Sequence, residues 1–399
     1  MLKYILIVVG ALLLTMHAEA QKKEISQART YIKSGKDFDK AEKLLTDLMA
    51  KDSSARDNKK VLATWFDAVY AQYLAGNEKL YLHQKYDTAA FFGLTRRLYS
   101  IAEHLDSVDM RPDKKGRVRP EYRKKHAQVL NQLRPNLYFG ATKLLLSGKT
   151  EEAYDYYATY VDTDTQPLFK DYHYGATDSL VVQAAYWASY CGHKLNDSER
   201  TLKYSDIARR DTSKLAFTLQ YVCEAYVEQE NDSAYIATLH EGFDIYPKSP
   251  YFFPRLADYY KSKDKNEKVL SLASHGLEVD SSDTLFLLAK SIALLNMERY
   301  DECIAASREI IEINDTLPEP YYNIATCYLN QALELEQLNE PRLYRDRLHE
   351  LYANARPYME SYRRLNSADQ QRWAPALYRI YLNLNMGKQF DEMDKLLRK

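Results

Sequence analysis

A ruler of 34 residues constrains this chain more than any other feature of its sequence. With Leu219 set at position 4, Val222 and Cys223 fall at 7 and 8, Tyr226 at 11 and Tyr235 at 20. Leu239, Gly242 and Pro247 follow at 24, 27 and 32. Adding 34 carries Leu219 to Phe253, Val222 to Leu256, Cys223 to Ala257, Tyr226 to Tyr260 and Gly242 to Gly276. Subtracting 34 reaches Ala185, Ala188, Ser189, Gly192 and Ala208, mostly small residues again. Two successive stripes at helical spacing, closed by proline, describe a repeated helical hairpin. One hairpin cannot bury both of its faces, so such units must stack on one another.

At 399 residues the chain suits one extended solenoid or two to three ordinary domains. Only 12 Gly and 12 Pro disfavour a turn-dense all-β protein. A formal net charge of −1 leaves no global basic field for nucleic acid or an anionic membrane. The 35 tyrosines stand largely at helix-spaced positions, where a ring packs while its hydroxyl reaches water.

Residues 1–20 read as a secretory signal peptide. Lys3 supplies the positive start, Tyr4–Met16 a short apolar run, and Ala18-Glu19-Ala20 a small-x-small cleavage site before Gln21. That run is short for a membrane span, and no later stretch approaches one. No Cys follows the cleavage site, so a lipid anchor is not expected, and the mature chain is read as exported and soluble. Residues 21–108 read as atypical N-terminal helical repeats, with a pair in Ile25–Leu48 and a longer pair opened by Val61–Leu82 and by Tyr86-Asp87-Thr88-Ala89. Residues 109–126 form a basic loop bracketed by Pro112 and Pro120, residues 127–162 a helix pair, and residues 163–179 a polar inter-repeat loop or hinge. From 180 to 399 the repeats are nearly continuous, with helix pairs beginning near Leu180, Leu215, Tyr251, Thr284, Glu319 and Trp373. Second helices should open at Tyr300 and Phe390. Pro341 should open a lengthened one that Pro357 bends.

Reactive motifs are not found. Nine histidines show no H-E-x-x-H pair, and there is neither a G-x-S-x-G elbow nor a Gly-rich dinucleotide loop. Ser147-Gly148-Lys149-Thr150 mimics the end of a phosphate-binding loop, but Lys143 stands where that motif needs Gly. No catalytic residue, cofactor or metal site is therefore expected. Cys191, Cys223, Cys303 and Cys327 match no metal spacing and read as small core residues, with a Cys303–Cys327 bridge as the one exception to consider. Asn196-Asp197-Ser198 and Asn231-Asp232-Ser233 match glycosylation sequons but fit helix caps in which Asp or Ser accepts free backbone N–H groups.

From about Leu137 to the C-terminus these residues resemble the tetratricopeptide repeat family. Leu137, Gly140, Ala141, Leu144, Gly148, Ala153 and Tyr157 take up the same pattern. The resemblance implies an all-α fold, a right-handed α-solenoid of antiparallel helix pairs whose first helices line a concave groove. The export signal and tyrosine-rich repeats are also similar to those of Bacteroidetes envelope proteins.

Carried over position by position, the family's groove implies a binding face made by Tyr186, Trp187 and Tyr190, then Gln220, Tyr221 and Glu224, then Arg255 and Asp258, then Tyr322, Asn323 and Thr326. Tyr186 and Tyr190, then Gln220 and Glu224, stand where chaperone-binding relatives carry a Lys and Asn carboxylate clamp, so clamping is not expected. The resemblance implies a non-enzymatic periplasmic or envelope scaffold holding a protein or peptide partner. A glycan, bound by aromatic stacking in a nutrient-uptake system, is the alternative.

Overall fold

A computed structural model describes residue 19 and residues 21–338 and 341–398, of 341 and 342 the backbone alone. The expected signal segment, apart from residue 19, lies outside the described residues. Among these residues every regular element is helical. Contacts divide the chain into two compact units, one ending at Tyr235 and the other beginning at Ile236.

The first unit begins with α1 (residues 21–34), α2 (Phe38–Lys51), α3 (Ser53–Arg56), α4 (Lys59–Tyr81) and α5 (Thr88–Asp109). It continues with α6 (Arg123–Leu133), α7 (Pro135–Leu146), α8 (Thr150–Asp162), α9 (Tyr174–Thr177) and α10 (Leu180–Lys194). α11 (Ser198–Lys203), α12 (Ser205–Ala208) and α13 (Leu215–Glu228) complete it, and the boundary falls within α14 (Asp232–Ile245). The second unit holds α15 (Phe252–Lys261), α16 (Asn266–Val279), α17 (Thr284–Asn296), α18 (Tyr300–Ile313), α19 (Pro318–Gln337), α20 (Pro341–Leu365), α21 (Gln370–Asn383) and α22 (Gly387–Leu397). Each helix from α15 to α22 packs on the next, and α17 also meets α19, so consecutive hairpins shield one another's apolar faces.

The ruler shows in the packing. Ala185, Ala188 and Ser189, then Leu219, Val222 and Cys223, then Phe253 and Leu256 are all buried. Gly242 and Gly276, one period apart, give way to the rings of Phe252 and Phe286, themselves one period apart. A Cβ on either glycine would lie 2.3 Å and 2.7 Å from those rings. Close ring approach, more than backbone freedom, makes glycine the residue at position 27 of these two repeats.

The turn inside each hairpin repeats as well. Asn196, Glu230, Asp264 and Glu298 stand 34 residues apart and all have left-handed backbones, with φ of 51°, 53°, 53° and 61°. At each one the next residue's N–H reaches back to the helix, as Asp197 does to the Gly192 carbonyl and Arg299 to the Leu294 carbonyl. This is the Schellman arrangement that closes a helix C-terminus. Gly148 takes the same place after α7, with φ of 77° and the Lys149 N–H on the Leu144 carbonyl. The segment that mimics a phosphate loop is thus a helix-terminating turn. Caps open the following helices: Asp197 accepts from the Arg200 N–H and Asp178 from the Leu180 N–H. In the second sequon the cap is Asn231 itself, accepting from Ala234, rather than Asp232 or Ser233.

Two non-repeating segments are held by buried ions. The basic loop is pinned at its ends, because the fully buried Asp109 carboxylate accepts from Lys59 Nζ and from the backbone N–H groups of Glu121 and Tyr122. Arg123 forks onto Asp106 at 2.6–2.7 Å and already belongs to α6. Within residues 163–179 Leu168, Phe169 and Tyr174 are buried. Arg134, at the α6–α7 junction and 4% exposed, lies between the rings of Tyr160 and Tyr174 at 3.7 and 3.8 Å. It donates to Thr163 Oγ1, to the Tyr160 carbonyl and to Asp178. Burial alone would raise the Asp178 carboxyl, but hydrogen bonds from Tyr160 and Arg134 hold it below its usual range.

α20 runs unbroken through Pro357 and α21 through Pro375. α21 and α22 each begin three residues before the positions expected, at Gln370 and Gly387.

Candidate functional site

In the first unit α10 and α13 bring Tyr186, Trp187, Tyr190 and Tyr221 into one aromatic cluster. Trp187 meets Tyr186 edge-on at 5.1 Å and Tyr190 edge-on at 5.6 Å. Tyr221 lies 6.2 Å from Tyr186 and 5.9 Å from Tyr190, and the hydroxyls of Tyr186 and Tyr221 are 3.5 Å apart. Burial, then the Tyr186 hydroxyl, pushes the Tyr221 phenol well above its ordinary value. Tyr186 is buried, Trp187, Tyr190, Gln220 and Tyr221 are half-buried, and Glu224 is exposed.

Two residues outside the expected set complete the cluster. Lys214 Nζ stands over Tyr186 at 4.6 Å and Trp187 at 4.9 Å. His193 stacks on Tyr221 at 4.6 Å, with its Nδ1 3.2 Å from Glu224. His193 occupies position 12 of its repeat, so the ruler itself could have found it. A cation thus stands over two of the rings and an imidazole over a third.

In the second unit α15 and α17 enclose an apolar cleft of about 170 Å³. Pro254, Ala257, Leu285, Leu288 and Ile292 wall it, and Asp258, Lys261, Asn266 and Asn296 stand around it. Of the expected face only Asp258 belongs here. Leu288 and Ile292 lie one period beyond Pro254 and Asp258, so the same ruler reaches them. They escape notice because apolar side chains at helical spacing read first as core.

Arg255 turns away from the cleft. Its guanidinium lies 3.7 Å over the Tyr251 ring and donates to the Tyr251 carbonyl. Tyr322 lies beneath Arg372, 3.7 Å from its guanidinium carbon, and against Tyr362, while Thr326 is half-buried on α19. Asn323 does not face a groove at all. It is 4% exposed and donates through Nδ2 to Ser291 Oγ at 2.9 Å, because its position lies on the α19 flank that packs against α17. Among the described residues no group of three or more His, Cys, Asp or Glu is placed to hold a metal ion.

No model of a known protein family matches the chain, and no curated protein does. Solved structures do match. One is the C-terminal part of a TPR repeat-containing protein from Cytophaga hutchinsonii, at 13% identity over 65% of this chain and 93% of that one, with a TM-score of 0.43. The TPR2AB domain of yeast Sti1, solved in a pHSP90 complex, matches at 10% identity over 64% of this chain and 99% of its own, with a TM-score of 0.25. Yeast Tom70 matches at 12% identity over 87% and 88% of the two chains, with a TM-score of 0.29.

Proposed function

We propose that this chain is a non-enzymatic scaffold that binds an extended polypeptide, exported to the periplasm or envelope by the segment before Gln21. The observation that carries the reading is the cleft between α15 and α17. Its walls are apolar, its rim offers both charges and two amides, and Leu288 and Ile292 in it stand one period beyond Pro254 and Asp258. An aliphatic side chain fits such walls, while the rim groups suit the backbone amides on either side of it. The cluster on α10 and α13 supports the same class of ligand, because ring edges, Lys214 and Glu224 suit mixed polar and apolar side chains.

Panning a library of random linear peptides against the purified chain should enrich sequences sharing an aliphatic anchor. Removing the burial of one such side chain forfeits about 1.5–3 kcal/mol, so Leu288→Glu with Ile292→Glu should weaken those peptides at least about tenfold. Undiminished binding by this variant, with helicity intact, would rule the cleft out. Replacing Tyr186, Trp187 and Tyr221 by Ala asks the same question of the first unit. Sequencing of the exported chain should begin at Gln21.

A further inference from the structure

The first unit holds a polar cleft that the binding of an extended polypeptide does not use. About 670 Å³ in volume, it opens between residues 175–179, the first turn of α10 and residues 210–214 ahead of α13. That size falls within the range of small-ligand sites. Hydroxyl, amide and charged groups make up most of its lining, so it differs in kind from the apolar cleft between α15 and α17.

One wall is tied down from behind. The Asp178 carboxylate accepts from Arg134, from the Tyr160 hydroxyl at 2.6 Å and from the Leu180 N–H at 2.9 Å. The Gly175 N–H donates to Asp164 Oδ1 at 2.7 Å, and the Gly175 carbonyl accepts from Arg210 Nη2 at 3.1 Å. Asp178 thus has both oxygens engaged and its charge balanced by Arg134 outside the cleft.

The groups left to meet a ligand form a definite charge pattern. Arg210 and Lys214 are paired with no carboxylate among the described residues, although the Lys214 ammonium stands over two rings. Asp211 accepts at Oδ1 from the Ser213 N–H and hydroxyl, at 3.1 and 2.6 Å, and its Oδ2 remains open. Gln183 Oε1 accepts from the Tyr138 hydroxyl at 3.2 Å, which leaves the Gln183 Nε2–H groups to donate. With Asp178 balanced, Arg210 and Lys214 stand against Asp211, an excess of one positive charge. The complementary ligand has an anionic group for each cation, an ammonium for Asp211 and a net charge of −1.

We propose that this cleft binds a zwitterion of one ammonium and two carboxylates, an acidic α-amino acid either free or within a dipeptide. Arg210 and Lys214 each take a carboxylate, Gln183 Nε2 donates to one of these, and Asp211 Oδ2 accepts from the ammonium. An amino acid with a neutral side chain leaves one cation unanswered, and a dicarboxylate without an ammonium leaves Asp211 so. A bare phosphate sets its own charge against Asp211. Each mismatch forfeits a charge-assisted hydrogen bond.

Calorimetric titration of the full-length chain with L-glutamate and with L-alanyl-L-glutamate should reveal one saturable site, and the tighter of the two ligands identifies the source. L-Glutamine and N-acetyl-L-glutamate each lack one charge and should bind at least about tenfold more weakly than L-glutamate. No saturable heat from glutamate or the dipeptide, or equal affinity for all four ligands, would overturn the proposal. Arg210→Gln with Lys214→Gln should abolish binding, and retained binding would place the ligand elsewhere. In Asp211→Asn, which keeps an acceptor for Ser213, glutamate should weaken to the level of N-acetyl-L-glutamate, whose own affinity should not fall. An equal proportional loss for both ligands would show that Asp211 does not hold the ammonium.

Discussion

The stretch from Ile236 to Ile313 and the stretch from Asp106 to Asp178 solve one problem by opposite means. In the first, hairpins follow the ruler, and the fit is steric: Gly276 accepts the Phe286 ring as Gly242 accepts Phe252. In the second the ruler is interrupted twice, and charge does what shape cannot. Asp109 gathers Lys59 and two backbone N–H groups, and Arg134 gathers two rings, a hydroxyl, a carbonyl and a carboxylate. A repeating surface finds its complement in its own next copy. A unique loop has no such copy, so its backbone groups need individually placed partners.

The strongest way to break that contrast is to remove Arg134. Arg134→Leu leaves Asp178 mostly buried without its guanidinium and strips two ring faces of their cation. Breaking a buried pair from one side costs about 3–5 kcal/mol. Urea unfolding should show a loss of that size, with hydrogen exchange rising first at residues 167–177. Replacing Asp178 by Leu as well should recover part of the loss. If the single variant loses under about 1 kcal/mol, the segment is held by Leu168 and Phe169 alone.

The matching test in the regular stretch is steric. Gly276→Ala places a Cβ about where the Phe286 ring lies, and overpacking of this kind costs about 1–3 kcal/mol. Gly387→Ala meets nothing within 4 Å and should be neutral or slightly stabilising. Equal unfolding midpoints for the two variants would show that the ring moves aside freely.

Charge in the first unit also predicts a pH dependence. His126 is buried against Phe66, with ring centroids 4.0 Å apart, and burial first, then Lys125, lowers its pKa to about 4. Its folded value lies below the unfolded value of about 6.5, so the unfolded chain takes up the proton first. Stability should be full above about pH 6.5 and fall as pH drops towards about 4. Each tenfold rise in proton concentration within that window costs about 1.4 kcal/mol, so at pH 5 the loss should be roughly 2 kcal/mol. Urea titrations at pH 8 and pH 5 should show it, and His126→Phe should remove most of it.

What is legible in the residues divides along the same line. α10, α13, α17 and α18 begin at Leu180, Leu215, Thr284 and Tyr300, where apolar spacing and hairpin signals agree. The first turns of α21 and α22 are polar and carry no stripe, so spacing starts both helices three residues late. Residues 163–179 read as a loop or hinge because their composition is polar, yet Arg134, which holds Thr163 and Asp178, lies 29 and 44 residues away from them in sequence, out of reach of any local pattern. The site divides in the same way. Spacing puts Tyr186, Trp187 and Tyr190 on one helix, a local property, and the 34-residue period leads from there to Tyr221 on α13, which the fold packs against them. It misplaces Asn323, because whether a flank position meets solvent or Ser291 depends on how closely α17 approaches α19.

The smallest effect sharpens the comparison most, because it takes one turn from each stretch and concerns backbone alone. Gly148 and Glu298 occupy the same left-handed turn position, one with glycine and one without. A left-handed L-residue costs roughly 1–2 kcal/mol, and the greater freedom of glycine in the unfolded chain returns part of that. Glu298→Gly should therefore stabilise by about 0.5–1 kcal/mol, and Gly148→Ala, with open space around its Cβ, should destabilise by about as much. A domain of this size should register each as a shift of roughly 1–4 °C in Tm, of opposite sign. If both variants lose stability, the Glu298 carboxylate has a partner worth more than the strain it imposes, and the repeat turn is specified by side chain as well as by backbone.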